Sequence, residues 1–247
     1  MSDTVLFDLG NSRLKYAPLR ADGGLGDAFA VGHDGERLPD GWDAALPARF
    51  DAAVLTSVAS TPLRVALLDA LTARCARLSI ARTVAHFGDL RIAYPRPDAL
   101  GADRFLAMLG ARARHPRTAV LVVGVGTALT LDLIDADGRH HGGRIAPSPA
   151  LMRASLHARA AQLPETGGRF VAFADDTADA LHSGCDGAAA ALVAQGLRDA
   201  ESVLGGVPPL LLHGGGADAL APRLPADAAH APSLVLEGLA VWARMPG

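Results

Sequence analysis

The sequence contains short segments of glycine and small polar residues that could bind phosphate. The first is Asp8-Leu9-Gly10-Asn11-Ser12-Arg13-Leu14-Lys15, which follows an apolar run. A glycine lets the backbone approach an anion closely, and the N–H groups of a turn can donate to it. Asn11, Ser12 and Lys15 add donors and a positive charge. Asp8 would be satisfied by a Mg²⁺ ion held through water. The segment predicts a phosphate loop, although a plain hairpin turn has the same composition.

Two further glycine segments follow apolar strands later in the chain. Gly126-Thr127-Ala128 is small enough for close approach, and the Thr127 hydroxyl can donate to phosphate. Residues 214–216 are three consecutive glycines, which suit a backbone surface lying against an adenosine. Each segment alone is typical of a tight turn. The three together, in this order, favour phosphate binding more strongly than any one of them does.

A fourth segment, Gly101-Ala102-Asp103-Arg104, stands at a predicted helix start. Asp103 could take a proton from a substrate hydroxyl, and Arg104 could hold an anionic group. The alternative is an acidic residue favoured by the helix dipole beside a surface arginine. The local sequence alone favours that alternative.

The elements that must position these segments repeat along the chain. Strands predicted at 5–8 and 14–19 form one hairpin, and strands at 119–123 and 129–134 form another of the same design. This echo predicts a duplicated α/β fold with domains 1–116 and 117–247, whose hairpin turns face a common cleft. Two unrelated hairpins are the alternative. Helices are predicted after residue 101 and at 149–162, 176–183, 186–203 and 237–244.

Composition narrows the class of protein. The 247 residues are half hydrophobic, carry a net charge of −3 and include one lysine, Lys15. Without a basic block, we expect no nucleic-acid partner. The two cysteines make no disulfide framework. A signal peptide and an apolar run long enough to span a bilayer are both missing, so we expect no membrane association and a cytoplasmic location.

The motifs Asp-x-Gly-Asn-Ser-x-x-Lys, Gly-Ala-Asp-Arg and Gly-Thr-Ala, in this order, resemble those of type III pantothenate kinases, some of which are called Bvg accessory factors. The resemblance extends over essentially the whole chain. It implies the actin/hexokinase-like (ASKHA) fold. The other similar segments are Tyr94, Gly142-Gly143-Arg144-Ile145, Asp176-Thr177 to Gly184, and Leu236-Glu237-Gly238-Leu239.

The resemblance implies ATP- and Mg²⁺-dependent phosphorylation of pantothenate to 4′-phosphopantothenate, the first step toward coenzyme A. It makes Asp103 the general base, Asp8 to Lys15 the first phosphate loop, and Thr127 part of the second. It also implies a homodimer in which the neighbouring subunit supplies Thr177. The residues implied to line the pantothenate pocket are Tyr94, Gly101, Ala102, Asp103, Arg104 and Thr177.

The sequence departs from the family pattern at two positions. Gly124 stands where the family usually has an aspartate that binds an activating monovalent cation, K⁺ or NH₄⁺. A glycine offers a cation at best a carbonyl oxygen, so we expect little stimulation by K⁺. Ser148 replaces the last glycine of the family's Gly-Gly-x-Ile-x-Pro-Gly pattern.

Three other readings of the sequence stay open. His140-His141 and His213 could bind a metal, although no second pair at ligand spacing accompanies them. A kinase or hydrolase of the same fold could act on another substrate. A catalytically weakened relative could serve as a regulatory or binding protein, although retention of Asp8, Lys15, Asp103 and Arg104 argues for catalysis.

Overall fold

The computed structural model describes residues 3–244 and divides into two compact units. The first comprises Met1–Pro116 and Ser233–Gly247, and the second Arg117–Pro232. The first division between the units follows residue 116. The predicted second domain also included the C-terminal helix, which the structure groups with the first unit because that helix packs there.

The first unit is built on a five-stranded sheet of order β3-β2-β1-β4-β5. Strands β1 to β3 are antiparallel, and β4 and β5 run parallel to β1. The strands are β1 (Thr4–Leu9), β2 (Arg13–Leu19), β3 (Phe29–Gly32), β4 (Phe50–Ser57), β5 (Cys75–Ile80), β6 (His86–Phe87) and β7 (Leu90–Arg91), and the helices are α1 (Thr61–Thr72), α2 (Ala102–Arg114) and α6 (Leu234–Arg244).

Alternation along β1 divides its side chains between the two faces of this sheet. Val5, Phe7 and Leu9 join a core cluster with the buried leucines of α1. Burying each of those leucines contributes about 1.5–3 kcal/mol. Asp8 points to the opposite face, because successive side chains of a strand alternate. Helix α6 contacts β1, β2 and β4 and covers the apolar part of that face.

Two glycines let α2 and α6 pack backbone to backbone. A Cβ on Gly238 would lie 1.9 Å from the Leu106 carbonyl oxygen, and one on Gly110 would lie 2.4 Å from the Leu234 carbonyl oxygen. Arg114 adds a two-pronged ion pair to Glu237, with contacts of 2.5 and 2.6 Å. The close approach fixes α2, and therefore the start of α2 where Asp103 stands.

The second unit has a sheet of order β10-β9-β8-β11-β12. Strands β8 to β10 are antiparallel, and β11 and β12 run parallel to β8. This is the same arrangement as in the first unit, so the predicted duplication is confirmed in the topology. The elements are β8 (Val120–Val125), β9 (Ala128–Ile134), β10 (His140–Pro147), β11 (Leu210–His213), β12 (Ala229–His230), α3 (Pro149–Arg159), α4 (Thr177–Leu204) and α5 (Ala217–Leu220).

The largest difference between the predicted and the observed helices of the second unit lies in α4. We predicted two helices at 176–183 and 186–203, but α4 is continuous through Gly184. A single interior glycine costs a helix only about 1 kcal/mol, and burial of Cys185, Ala189 and Val193 offsets that cost. None of the helices within residues 3–244 is long and apolar enough to cross a membrane.

Candidate active site

Three side chains from adjacent strands of the first unit stand side by side. Asp8 on β1 is paired with Lys15 on β2 and with Thr56 on β4. Paired residues on neighbouring strands project to the same face, about 4.8 Å apart. We call Lys15, Asp8 and Thr56 the first row. It lies at the carboxyl end of β1 and β4, the end at which open α/β sheets bind ligands.

Asp8 is the acid of this row, and its pKa is strongly shifted. Burial of its carboxyl group raises its pKa from 3.8 to about 7; Lys15 opposes the shift, and Asp103 adds to it. Burial acts this way because the charged form loses its hydration. The three groups therefore interact within one unit, and a cation placed beside Asp8 would be strongly favoured.

The first predicted phosphate loop is a tight turn between β1 and β2. The Gly10 N–H donates to the Arg13 carbonyl at 3.0 Å, and Asn11, Ser12 and Arg13 are exposed. His33, just after β3, holds this turn. Its ring nitrogen Nε2 lies 3.0 Å from the Gly10 carbonyl oxygen. The backbone N–H of His33 donates to the Ser12 carbonyl. The turn is fixed in place with its polar side chains free to face a ligand.

Helix α2 begins at Ala102, with Gly101 as its N-cap and Asp103 in its first turn. A Cβ on Gly101 would lie 2.6 Å from Asp103 Oδ1, so the carboxyl group folds back over the glycine. Arg104 is buried and donates to the Tyr94 hydroxyl at 3.3 Å. Tyr94, Gly101, Asp103 and Arg104 are thus neighbours in the structure.

The second unit has an equivalent row at the end of β8. Gly124 is paired with Thr130 on β9 and with His213 on β11. A Cβ on Gly124 would lie 2.7 Å from Thr130 Oγ1 and 2.9 Å from His213 Nε2. We call Thr130, Gly124 and His213 the second row. Here the imidazole and the hydroxyl occupy the space that a side chain at position 124 would need.

The second predicted phosphate loop connects β8 to β9. Gly126 and Thr127 are exposed, and the Gly126 N–H donates to the Ala128 carbonyl at 2.9 Å. The Thr127 carbonyl accepts from the Ser148 N–H at 3.3 Å. Ser148 also caps α3, since its hydroxyl accepts from the Leu151 N–H. Ser148, which replaces the last glycine of the family pattern, therefore has a local structural role as the cap of α3.

The third glycine segment lies against the end of β8. Gly214 has a φ of +97°. A Cβ there would lie 2.3 Å from the Val125 carbonyl oxygen, and one on Gly216 would lie 2.8 Å from the Val125 side chain. Only glycine fits such a contact at position 214. The segment brings bare backbone beside the turn that follows Val125.

The structure groups some predicted site residues and leaves others apart. Asp8, Lys15, Tyr94, Asp103 and Arg104 all belong to the first unit. Thr127 belongs to the second, as does Thr177, an exposed residue at the first position of α4. The ligand-binding roles assigned to these residues stay predictions. Within residues 3–244, no three His, Cys, Asp or Glu side chains gather as a metal site would require.

Sequence reasoning missed three residues of these sites. It gave His33 and Thr56 no role, and it considered His213 only as a metal ligand. Thr56 lies one residue before the end of β4, and His213 ends β11; both strands run parallel to a hairpin strand. The sequence does show a polar residue near the end of each apolar run. The local sequence does not predict the strand register that places this residue beside position 8 or 124.

Comparison with known proteins identifies relatives of the whole chain. A family model described as type III pantothenate kinase matches residues 4–199. The type III pantothenate kinase of Stenotrophomonas maltophilia strain K279a is 55% identical over 244 residues, which is 98% of each chain.

Solved structures share the fold at much lower identity. A Campylobacter jejuni protein described as a Baf family transcriptional activator has a TM-score of 0.59 at 21% identity, covering 95% of this chain and 94% of its own. A Sinorhizobium meliloti protein described as a 2-dehydro-3-deoxygalactonokinase has a TM-score of 0.60 at 17% identity, covering 99% of this chain and 100% of its own. The predicted actin/hexokinase-like fold is confirmed.

Proposed function

The chain belongs to the type III pantothenate kinase family, and from this premise we propose that it transfers the γ-phosphoryl group of ATP to the primary hydroxyl of pantothenate. The product would be 4′-phosphopantothenate, the first intermediate toward coenzyme A. The observation that carries the proposal is the electrostatic interaction of Asp103, at the start of α2, with Asp8, which is paired with Lys15 in the first row.

The proposed chemistry needs alignment and charge neutralisation more than covalent catalysis. Asp103 accepts the proton of the pantothenate hydroxyl as that oxygen attacks the γ-phosphorus, and the bond from the γ-phosphorus to the β,γ-bridging oxygen breaks to release ADP. Arg104, fixed by burial and by Tyr94, holds the substrate's carboxylate. Lys15 neutralises phosphate charge, and N–H groups of the turn that follows Gly10 donate to phosphate oxygens.

The residues of the first row suit Mg²⁺. Magnesium prefers oxygen ligands and keeps several waters, so proteins often hold it through one carboxylate and the phosphates of a substrate. Asp8 is a carboxylate whose charge is unfavourable in its present surroundings, as its raised pKa shows. Bound with ATP, the ion would supply charge neutralisation at the phosphate oxygens.

Three finer proposals accompany this function. Thr127 would donate to a phosphate, because its loop is exposed beside bare glycine backbone. Thr177 would complete the pantothenate pocket of a second copy in a homodimer, since its position on α4 is exposed. A cytoplasmic location would give the enzyme access to ATP.

An amide substitution at Asp103 tests the proposal. Asp103→Asn removes the proton acceptor and keeps the shape, so we expect kcat for phosphopantothenate formation to fall by about 100-fold or more. Mass spectrometry of the product and an unchanged circular dichroism spectrum would be the readouts. Asp98→Asn, an exposed carboxylate on the approach to α2, is the matched control. Full activity of Asp103→Asn would refute the assignment.

An absence of any phosphopantothenate from the wild-type protein would refute the function itself. Turnover of ATP only with other alcohols would favour a kinase of the same fold with a different substrate. Specific duplex DNA binding at physiological salt without kinase activity would favour a regulatory protein, which the net charge of −3 disfavours.

A further inference from the structure

Thr56 carries a polar atom that the fold alone leaves unsatisfied. Its side chain is 1% exposed, and its hydroxyl oxygen Oγ1 has no hydrogen-bond partner among the residues that the structure describes. Buried polar groups are nearly always hydrogen-bonded, because a lost hydrogen bond to water must be replaced. A threonine hydroxyl left in this condition suggests that its partner is a ligand.

The register of the sheet places this hydroxyl on the ligand-binding face. Thr56 is the parallel partner of Asp8, so both side chains project to the side that also carries Lys15. The other face belongs to Leu9, Leu55 and the core under α1. Thr56 therefore adjoins the carboxylate to which we assign the metal.

The second row shows how close such neighbours come. There the side chains of the two flanking strands, Thr130 and His213, reach to 2.7 and 2.9 Å from the Cβ position of Gly124. Thr56 holds the place in the first row that His213 holds in the second. A side chain at this place can thus reach the space above the central strand.

We propose that Thr56 is a positioning residue for the hydrated magnesium ion at Asp8, with its hydroxyl hydrogen-bonded to a water of that ion. The inference rests on the proposed function, since it takes the Asp8 metal site as given. A threonine hydroxyl has one donor and two acceptor lone pairs, which suits a metal-bound water held between a carboxylate and phosphate. Groups that orient the ligands of a metal change its affinity by about 10- to 100-fold when removed.

The test is the effect of Mg²⁺ on ADP binding, measured by calorimetry without turnover. For the wild type we expect a higher ADP affinity with Mg²⁺ present than with EDTA present. In Thr56→Val, which keeps the shape and removes the hydroxyl, this tightening should shrink by about 10-fold, while ADP affinity in EDTA stays unchanged. Thr56→Ser should retain it. Thr56→Ala gives a second variant without the hydroxyl.

The control is Ser57→Ala, which removes the next hydroxyl of β4, one that faces away and accepts from the Ala59 N–H. It should leave the Mg²⁺ effect intact. A purely structural role predicts that Thr56→Val matches the wild type in Mg²⁺ response; that result would overturn the inference. So would an equal loss of ADP affinity with Mg²⁺ and with EDTA. If Asp8→Asn keeps the full effect of Mg²⁺ on ADP affinity, the assignment of the metal to Asp8 is wrong. That result is distinct from a failure of the inference about Thr56.

Discussion

The two rows occupy the same place in two sheets of the same topology, yet they carry different chemistry. The first row presents a base, an acid and a hydroxyl in Lys15, Asp8 and Thr56. The second presents Thr130 and His213 around a glycine. Duplication supplied two equivalent strand ends. In this chain, only the first keeps a carboxylate at the central position.

Neighbouring side chains can leave room for only a glycine at the end of a strand. Gly124 is not an empty position, because the His213 imidazole and the Thr130 hydroxyl already fill the space above it. In the first row the corresponding space holds the Asp8 carboxylate, and burial there raises the pKa of that group. Of the two rows, only the first therefore offers a cation a carboxylate.

The largest expected effect comes from removing that charge. Asp8→Asn should lower kcat/KM for ATP by roughly 100- to 1,000-fold, because the metal supplies several kcal/mol of charge stabilisation. Initial rates across a Mg²⁺ titration measure it. His213→Gln, at the row without a carboxylate, should leave the Mg²⁺ dependence unchanged. Equal losses at the two positions would remove the distinction between the rows.

The same substitution should stabilise the ligand-free protein, more so at high pH. The folded pKa of Asp8, about 7, lies above the unfolded value of 3.8, so the folded state binds the proton more tightly and loses stability as pH rises between these values. Asp8→Asn removes this loss. Its melting temperature should exceed that of the wild type by more at pH 8 than at pH 5. A pH-independent difference would show that burial does not perturb Asp8.

A smaller effect is expected from adding a methyl group to the second row. Gly124→Ala should destabilise the protein by about 1–3 kcal/mol, because its Cβ would crowd Thr130 and His213. Urea denaturation measures this. Gly126→Ala is the matched control, since its Cβ would meet only the Ala128 carbonyl oxygen, at 3.9 Å. A His213→Ala background should recover part of the loss; no coupling would mean that the imidazole does not fill this space.

The smallest effect concerns monovalent cations. Replacing Na⁺ with K⁺ or NH₄⁺ should change kcat by less than about twofold, because Gly124 offers a cation no charge. Rates at constant ionic strength provide the comparison. A large K⁺ response, with K⁺ located beside Gly124, would show that the second row binds a cation without a carboxylate.

Much of the fold could be predicted from the sequence because its signals are local. The apolar runs ending in Gly10 and Gly126 predicted both hairpins and their duplication. The continuity of α4 through Gly184 could not be predicted, since burial of its apolar face decides it. The assignment of α6 to the first unit likewise depends on the close packing of Gly110 and Gly238.

The residues of the candidate site also divide into those predicted from local sequence and those placed by long-range strand pairing. Asp8, Lys15 and Asp103 were predicted from motifs, and Asp8 and Lys15 are brought together by a short hairpin. Thr56 and His213 reach their rows through parallel pairing of strands far apart in the chain. The sequence gives no local sign of that register. The positions of these two residues in their rows are known only once the strand order and register of the sheet are known.

Locating the divalent ion tests the central claim most directly. In crystals grown with Mn²⁺ and a non-hydrolysable ATP analogue, anomalous scattering would mark the metal in place of Mg²⁺. We predict a peak about 4–5 Å from the Asp8 carboxylate carbon, the separation for an ion bound through water, and none at the second row. A peak beside Gly124 and Thr130, with none near Asp8, would contradict the account.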